Sequence, residues 1–358
     1  MPKIRCKLIT NSNSRFLQQI YTGFFLLYKT GLIDLKQVFN TKKGNKLNDR
    51  PCIHVVVNDS VKIFYDAIDG YGIQNEDLED SHYYFKRSYY SKYILALGAQ
   101  SKKVFPFGLN YELYPSNVDK FAIQRNLLLS VGYKKITGII NILDTQNKLN
   151  YKPRINMMQS LPDYKAKPNL IFMVKAFDPH DNAGRPKYNI DDRIKINKTR
   201  AKCIKMLRDE FGKSFYGGFY HSKFSKMNYN ELLIPDIRTS YKKNYINLLK
   251  QFPICIANSG LHGSIGWKFA EYIAFSKAII AEKMSYKVPG TLEKDKNYLE
   301  FSTPEDCVEK SVKLFNNEEL RNFLMSNNAK YYNAYLRPDS LILNTLLTAL
   351  SGQYNNSV

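Results

Sequence analysis

The stretch Phe252–Glu282, FPICIANSGLHGSIGWKFAEYIAFSKAIIAE, constrains the fold more than any other part of the chain. Phe252 to Ala257 is a short apolar run of buried-strand length. Asn258 to Ser264 follows with Gly260 and Gly263, and Leu261 is its one bulky branched residue. Ile265, Phe269, Tyr272 and Ile273 then recur at helical spacing, and Ala278 to Ala281 is apolar again before Glu282. The order is strand, glycine turn, helix, strand. Such a turn gathers backbone N–H groups at a helix start, where the helix dipole adds partial positive charge, so the place suits a phosphate. Glycine keeps side chains from holding the anion away from the backbone.

The same alternation runs through both halves of the 358 residues, a length that gives room for two domains with substantial cores. In the first half, a strand over Lys3–Thr10 leads through the capping-rich Asn11–Ser14 into a helix over Phe16–Lys29, with Gly31 as its stop. Strands follow at Cys52–Val57 and Val61–Ala67, and Val104–Tyr111 reads as strand then turn. Residues 145–168 are polar and basic with three prolines, and form the best linker. In the second half, a strand from Asn169 ends in Lys175, and a polar loop spans Asp178–Arg193. A helix over Ile196–Phe211 stops at Gly212, a short strand covers Phe215–Phe219, and a helix runs from about Tyr241 to Phe252. Pro304 opens a further helix with Glu305 and Asp306 in its first turn, and two more helices close the chain. Strands alternating with helices predict parallel sheets covered on both faces, twice over.

Charge and cysteine usage narrow the setting. A net charge of +21 fits either a basic, solvated surface or an anionic partner: a phosphorylated small molecule, an anionic membrane face or nucleic acid. The lysines are dispersed and no RNA-binding signature or zinc finger accompanies them, which disfavours nucleic acid. The five cysteines are scattered without a CxxC pair, so neither a disulfide framework nor a zinc site is expected, and a reducing cytoplasm is. Residues 1–9 are basic and strand-like with no long apolar segment behind them, so no secretory leader is expected. The longest apolar-looking run, Ile20–Tyr28, is about half of a membrane span.

Outside the glycine turn, two segments carry candidate chemistry. Asp66 and Asp69 lie where the Val61–Ala67 strand ends. A carboxylate there either faces the ligand crevice of an open α/β sheet or starts a turn before Gly70. Asp80–Tyr90, DSHYYFKRSYY, mixes aromatic, basic and hydroxyl groups that suit sugar stacking and anion pairing, and it also fits an amphipathic helix or an edge strand.

With these residues in view, the second half resembles the donor-binding domain of a GT-B glycosyltransferase over roughly residues 168–350. The features come in family order: the strand ending in Lys175, the glycine turn, the helix bearing Glu271, the AIIAE strand, PGTL…NYLEF, and the closing helix pair. The first half resembles the acceptor domain in its alternation, and YYFKRSYY and FGLNY are similar to segments of bacterial polysaccharide-biosynthesis glycosyltransferases of the capsule and O-antigen type.

The resemblance implies an α/β fold of two Rossmann-like domains facing each other across a cleft. Residues 1–160 would bind acceptor, 161–335 would bind donor, and 336–358 would form a terminal helix packing back on the first domain. It implies transfer of a hexosyl or deoxyhexosyl group from a nucleotide-sugar donor to a glycan or lipid-linked glycan. No cofactor is expected, and the lack of Asp-x-Asp fits a metal-independent mechanism. The setting would be cytoplasmic, at the inner face of a membrane. Glu271 matches the glutamate that bonds the nucleotide ribose, and Lys175, Gly260, Gly263, Ser264 and Lys268 would hold the diphosphate. His262 would act on the phosphate or sugar, Asp66, Asp69 and Asp80 would supply a base, and Lys86 and Arg87 would bind acceptor. Retaining members often carry a glutamate eight positions before the ribose glutamate, and that position is Gly263, so the stereochemistry stays open. The alternative in another class is a non-catalytic sugar-nucleotide or glycan-binding protein. An NAD-type dehydrogenase fits poorly, because GLHGSIG departs from GxGxxG and Glu282 comes too soon for that fingerprint's acidic residue.

Overall fold

The computed structural model describes residues 3–39, 50–149 and 151–354. The chain divides into two compact units, Met1–Met158 with Tyr286–Gly290 and Asn333–Val358, and Gln159–Ser285 with Thr291–Tyr332. Each is an α/β unit of Rossmann-like type.

The first unit holds strands β1 (Ile4–Thr10), β2 (Ile33–Phe39), β3 (Cys52–Val57), β4 (Val61–Asp66), β5 (Tyr83–Lys86) and β6 (Val104–Pro106) in one sheet, order β2-β1-β3-β4-β5-β6. Its helices are α1 (Gln18–Lys29), α2 (Asn75–Asp80), α3 (Ser91–Leu95), α4 (Lys120–Leu129) and α5 (Tyr133–Leu143). This sheet departs from the all-parallel expectation at β3, which runs antiparallel to both neighbours. The cause is local. Asn58 and Asp59 both take positive φ, 49° and 61°, and so turn the chain tightly between β3 and β4, leaving no length for a crossover. β2 is a second difference: IDLKQVF pairs in parallel with β1, where the sequence reading places no element. DSHYYFKRSYY is neither surface helix nor edge strand, because β5 lies between β4 and β6.

The second unit is regular. Its elements are β7 (Leu170–Val174), α6 (Lys187–Phe211), β8 (Phe215–Phe219), α7 (Lys223–Asn228), α8 (Lys242–Lys250), β9 (Ile254–Ala257), α9 (Trp267–Ala274), β10 (Ala278–Glu282), β11 (Tyr298–Phe301), α10 (Pro304–Asn316) and α11 (Glu318–Tyr331). All five strands are parallel, in the order β11-β10-β9-β7-β8. The central strands are apolar throughout because helices cover both faces, and Leu170, Phe172, Ile254, Ile256, Ala278 and Ile280 share one buried cluster. The loop expected over Asp178–Arg193 is shorter than its polarity suggested: after Pro186, α6 is already helical at Lys187. A last helix, α12 (Pro338–Tyr354), returns to the first unit and packs on α1, where a Cβ at Gly23 would meet the Pro338 carbonyl at 2.3 Å.

Chain order and spatial order part company between β7 and β9. β8 lies on one side of β7 and every later strand on the other. At such a switch point the flanking loops diverge at the strands' carboxyl ends and leave a crevice.

Candidate functional site

A cavity of about 240 Å³ occupies that crevice. The carboxyl ends of β7 (Val174, Lys175), β9 (Ile256, Ala257) and β10 (Ala281, Glu282) line it, with the glycine turn and the start of α9. The turn is built by its own backbone. The Gly260 N–H donates to the Ser264 carbonyl at 2.8 Å and the Ser264 N–H to the Leu261 carbonyl at 3.1 Å. His262 and Gly263 take positive φ, 59° and 66°, which reverses the chain so that Gly266 can begin the helix. The first turn of an α-helix leaves backbone donors without intrahelical acceptors, and here that turn lines the cavity. Phe269, Ala270, Tyr272 and Ile273 anchor α9 by its buried face.

Three cations and one carboxylate line this space: Lys175, Arg200, Lys268 and Glu282. Arg200, from the middle of α6, is buried. It donates to the carbonyls of Lys175 (2.5 Å) and Ser259 (3.1 Å), lies 4.7 Å from the centre of the Phe177 ring, and so ties the ends of β7 and β9 together. Its buried Nε has no hydrogen-bond partner. Burial pushes the guanidinium down to about 10, with the nearby Glu282 acting the other way. Lys268 sets its ammonium 3.7 Å from the centre of the Tyr245 ring and 5.3 Å from that of Tyr220, and burial lowers it to about 8. Its residue as a whole is half-buried, so the cost falls on the ammonium end. Glu282 accepts the Ser259 N–H at 2.6 Å. An unpartnered buried guanidinium N–H, a destabilised ammonium and an excess of positive charge define a site prepared for an anion.

The structure brings Lys175, Gly260, Gly263 and Lys268 together as expected residues of one cavity. Other expectations change. Glu271 does not line the cavity; it is buried and pairs with Lys242 of α8. Glu282, at the end of β10, is the carboxylate in the cavity, because a strand's carboxyl end reaches the crevice whereas α9 turns Glu271 toward α8. Ser264 spends its N–H on closing the turn, and His262 is exposed outside the cavity lining, its N–H 3.3 Å from the Asp192 carboxylate. Arg200 was missed because one of three arginines in a 25-residue polar helix carries no motif; its helical spacing with the buried Cys203, Ile204 and Leu207 was the available signal.

In the first unit the corrections are larger. Asp66 and Lys86 form a fully buried ion pair at 2.9 Å, and Asp66 also accepts from the Tyr84 hydroxyl at 2.5 Å and the Ile68 N–H at 2.9 Å. Asp66 is therefore not a base nor Lys86 an acceptor contact: parallel pairing of β4 with β5 places the two directly opposite in the core. Asp80 sits at the other end of the sheet, exposed and paired with Lys62 near the start of β4. Asp69 and Arg87 do meet, at 2.7 Å, with Asp69 half-exposed and Arg87 buried. A second cavity of about 240 Å³, missed by sequence reading, lies beside the start of α1, with the polar side chains of Asn13, Arg15, Gln18, Asn126, Asn141 and Arg154 among its lining residues. Arg154 is buried there, holding the Pro115, Asn141 and Asp144 carbonyls while its Nε has no hydrogen-bond partner.

Among the described residues, no group of three or more His, Cys, Asp or Glu is placed to hold a metal ion, and no helix is long and apolar enough to cross a membrane. All five cysteines are free thiols.

No protein-family model and no curated protein matches the chain. Solved structures do. Alr3699/HepE of Anabaena, in complex with UDP and glucose, aligns over 93% of this chain and 94% of its own, at 9% identity and a TM-score of 0.36. TarM aligns over 83% of this chain and 63% of its own, at 13% identity and a TM-score of 0.39. The C-terminal domain of a glycosyl transferase group 1 family protein (LpcC) from Francisella tularensis aligns over 50% of this chain and 96% of its own, at 11% identity and a TM-score of 0.35. The chain is similar to these structures at a distance that leaves its function to be argued from the site itself.

Proposed function

We propose that the protein is a glycosyltransferase of the GT-B type that moves a sugar from a nucleotide-sugar donor to a glycan or lipid-linked glycan acceptor without a metal ion. The observation that carries this reading is the cavity at the β7/β9 switch point, where Lys175, Arg200 and Lys268 converge with a glycine turn and a helix start. A nucleoside diphosphate is the anion class that fits: its charges meet three cations and backbone N–H groups, and Glu282 is the carboxylate available to a ribose.

In the transfer, an acceptor oxygen forms a bond to the anomeric carbon as the bond to the diphosphate oxygen breaks, and the acceptor proton passes to a base. The charge that develops on the departing diphosphate is what fixed donors stabilise most, which is the part a divalent ion plays elsewhere. Asp69, half-exposed and beside Arg87, is the base we assign from the first unit. The cavity whose lining includes Asn13, Gln18, Asn126, Asn141 and Arg154 is the acceptor region we assign, because carboxamides both donate to and accept from sugar hydroxyls.

The test is a thermal-shift panel of nucleoside diphosphates, nucleotide sugars and NAD, followed by a search for donor turnover with the nucleotide that stabilises. A ligand at a hundred times its Kd stabilises by about 2.7 kcal/mol, well above detection. A shift with NAD and none with any nucleotide sugar refutes the reading. Binding with neither hydrolysis nor transfer on any glycan offered leaves a binding protein instead.

A further inference from the structure

We propose that the α4–α5 hairpin of the first unit is a docking surface for an anionic lipid bilayer. The reason is α5 itself. Tyr133, Ile136, Ile140 and Leu143 recur at i, i+3, i+7 and i+10, a spacing that ordinarily faces a core, yet all four are between 39% and 77% exposed. No residue of α5 is buried. Val131, just before the helix, and Leu128, near the end of α4, are exposed as well. A contiguous apolar surface of this kind on a described, well-formed helix needs an occupant.

Charge says which occupant. Across residues 118–149 there are five cations, Lys120, Arg125, Lys134, Lys135 and Lys148, and two carboxylates. Neither carboxylate is exposed: Asp119 is buried against Arg125, and Asp144 is half-buried and accepts the N–H groups of Lys148 and Leu149. Lys134 and Lys148 are exposed, Lys134 within α5 itself. An apolar stripe flanked by lysines with no exposed acid complements acidic headgroups over acyl chains. At 11 residues α5 is too short to span a bilayer and has the length of a helix lying in its surface. Arg125 anchors α4 to the unit through Gln37 of β2 at 2.8 Å, and Asn126 ties α4 to α5 through the Lys135 carbonyl at 2.5 Å, so docking requires no unfolding.

The inference rests on the glycosyltransferase reading only in giving a lipid-linked acceptor a place to be met, and its test is separate. The full chain is sedimented with vesicles of pure phosphatidylcholine and with vesicles containing about 30 mol% phosphatidylglycerol, at low and high salt. Binding to the anionic vesicles alone, weakened by salt, is expected. The double variant Ile136→Ser, Ile140→Ser is expected to lose at least about tenfold in partition while keeping its melting temperature and its nucleotide-induced thermal shift, since both side chains face solvent. Lys134→Glu with Lys135→Glu is expected to lose binding and to lose most of its salt dependence. Wild type that stays in the supernatant, or a serine variant that binds as wild type does, overturns the proposal. So does a wild-type dimer that the serine variant converts to monomer with no vesicle binding in either, which assigns the face to a second copy of the chain.

Discussion

Lys268 offers the sharpest test of the anion site, because its chemistry predicts a pH dependence with a known sign. Burial lowers its ammonium from 10.5 to about 8, with Glu271 and Cys255 pulling the other way. A bound diphosphate replaces the missing solvation with two negative charges and restores a higher value, so donor binding takes up a proton above pH 8. If the bound form titrates well above 9, apparent affinity falls by the fraction of free protein already deprotonated, which amounts to about tenfold between pH 7 and pH 9. Lys268→Met keeps the length and apolar packing between Tyr220 and Tyr245 and removes the titration. The assay is calorimetric or fluorescence titration of one nucleotide sugar at several pH values on both proteins, reading the difference between the curves, which cancels any titration of the base. Tyr220 and Tyr245 are both raised by burial, so neither ionises in this window.

The same shift governs stability without ligand. A charged ammonium held about 2.5 units below its ordinary value costs roughly 3 kcal/mol, offset by about 1–2 kcal/mol of cation–π attraction that the methionine gives up. K268M is therefore expected to be more stable than wild type at pH 7 by about 1–2 kcal/mol while binding donor more weakly. The sign follows from proton counts: between pH 8 and 10.5 the unfolded chain holds the proton and the folded chain does not, so wild type gains stability as pH rises and the advantage of K268M shrinks. Flat affinity from pH 7 to 9 in wild type, or a K268M variant with unchanged affinity, refutes the placement of the diphosphate beside Lys268.

Three further outcomes follow from the same geometry. Asp66→Asn leaves the Lys86 ammonium buried without its counter-charge and should cost about 3–5 kcal/mol in chemical denaturation; a fully stable variant lacking only turnover would restore Asp66 as a catalytic base. Gly263→Ala forces an L-residue into φ 66° at the head of the turn and should cost about 1–2 kcal/mol and weaken nucleotide binding, both read in one thermal-shift series. Glu271→Gln, which keeps a hydrogen-bond acceptor for Lys242, should leave nucleotide affinity within about twofold, whereas Glu282→Gln should lower it about tenfold; the reverse order would return the ribose contact to α9.

What the sequence determined by itself is the local order of the donor unit. The apolar run Phe252–Ala257, the glycines at 260 and 263 and the helical spacing from Ile265 specify strand, turn and helix through short-range sterics and periodicity, and the structure has β9, a turn with positive φ at Gly263, and α9 in those places. Lys175 and Lys268 were legible as cations next to that turn because their distance from it along the chain is short or their strand ends beside it. The cation that joins β7 to β9 was not legible, since Arg200 reaches the cavity from the middle of α6, and only sheet order brings that helix turn to the crevice. The exchange of Glu271 for Glu282 has the same origin. Both are conspicuous carboxylates in one stretch, and which of them faces the ligand depends on where α8 supplies Lys242. In the first unit, Asp66 looked like a reactive group at a strand end and Lys86 like an acceptor contact, and parallel register set them opposite each other inside the core, where a charge is tolerated only as half of a pair. Periodicity fixes what each segment becomes, whereas the identity of a site depends on which segments meet, and strand order and register are set by packing across the whole unit.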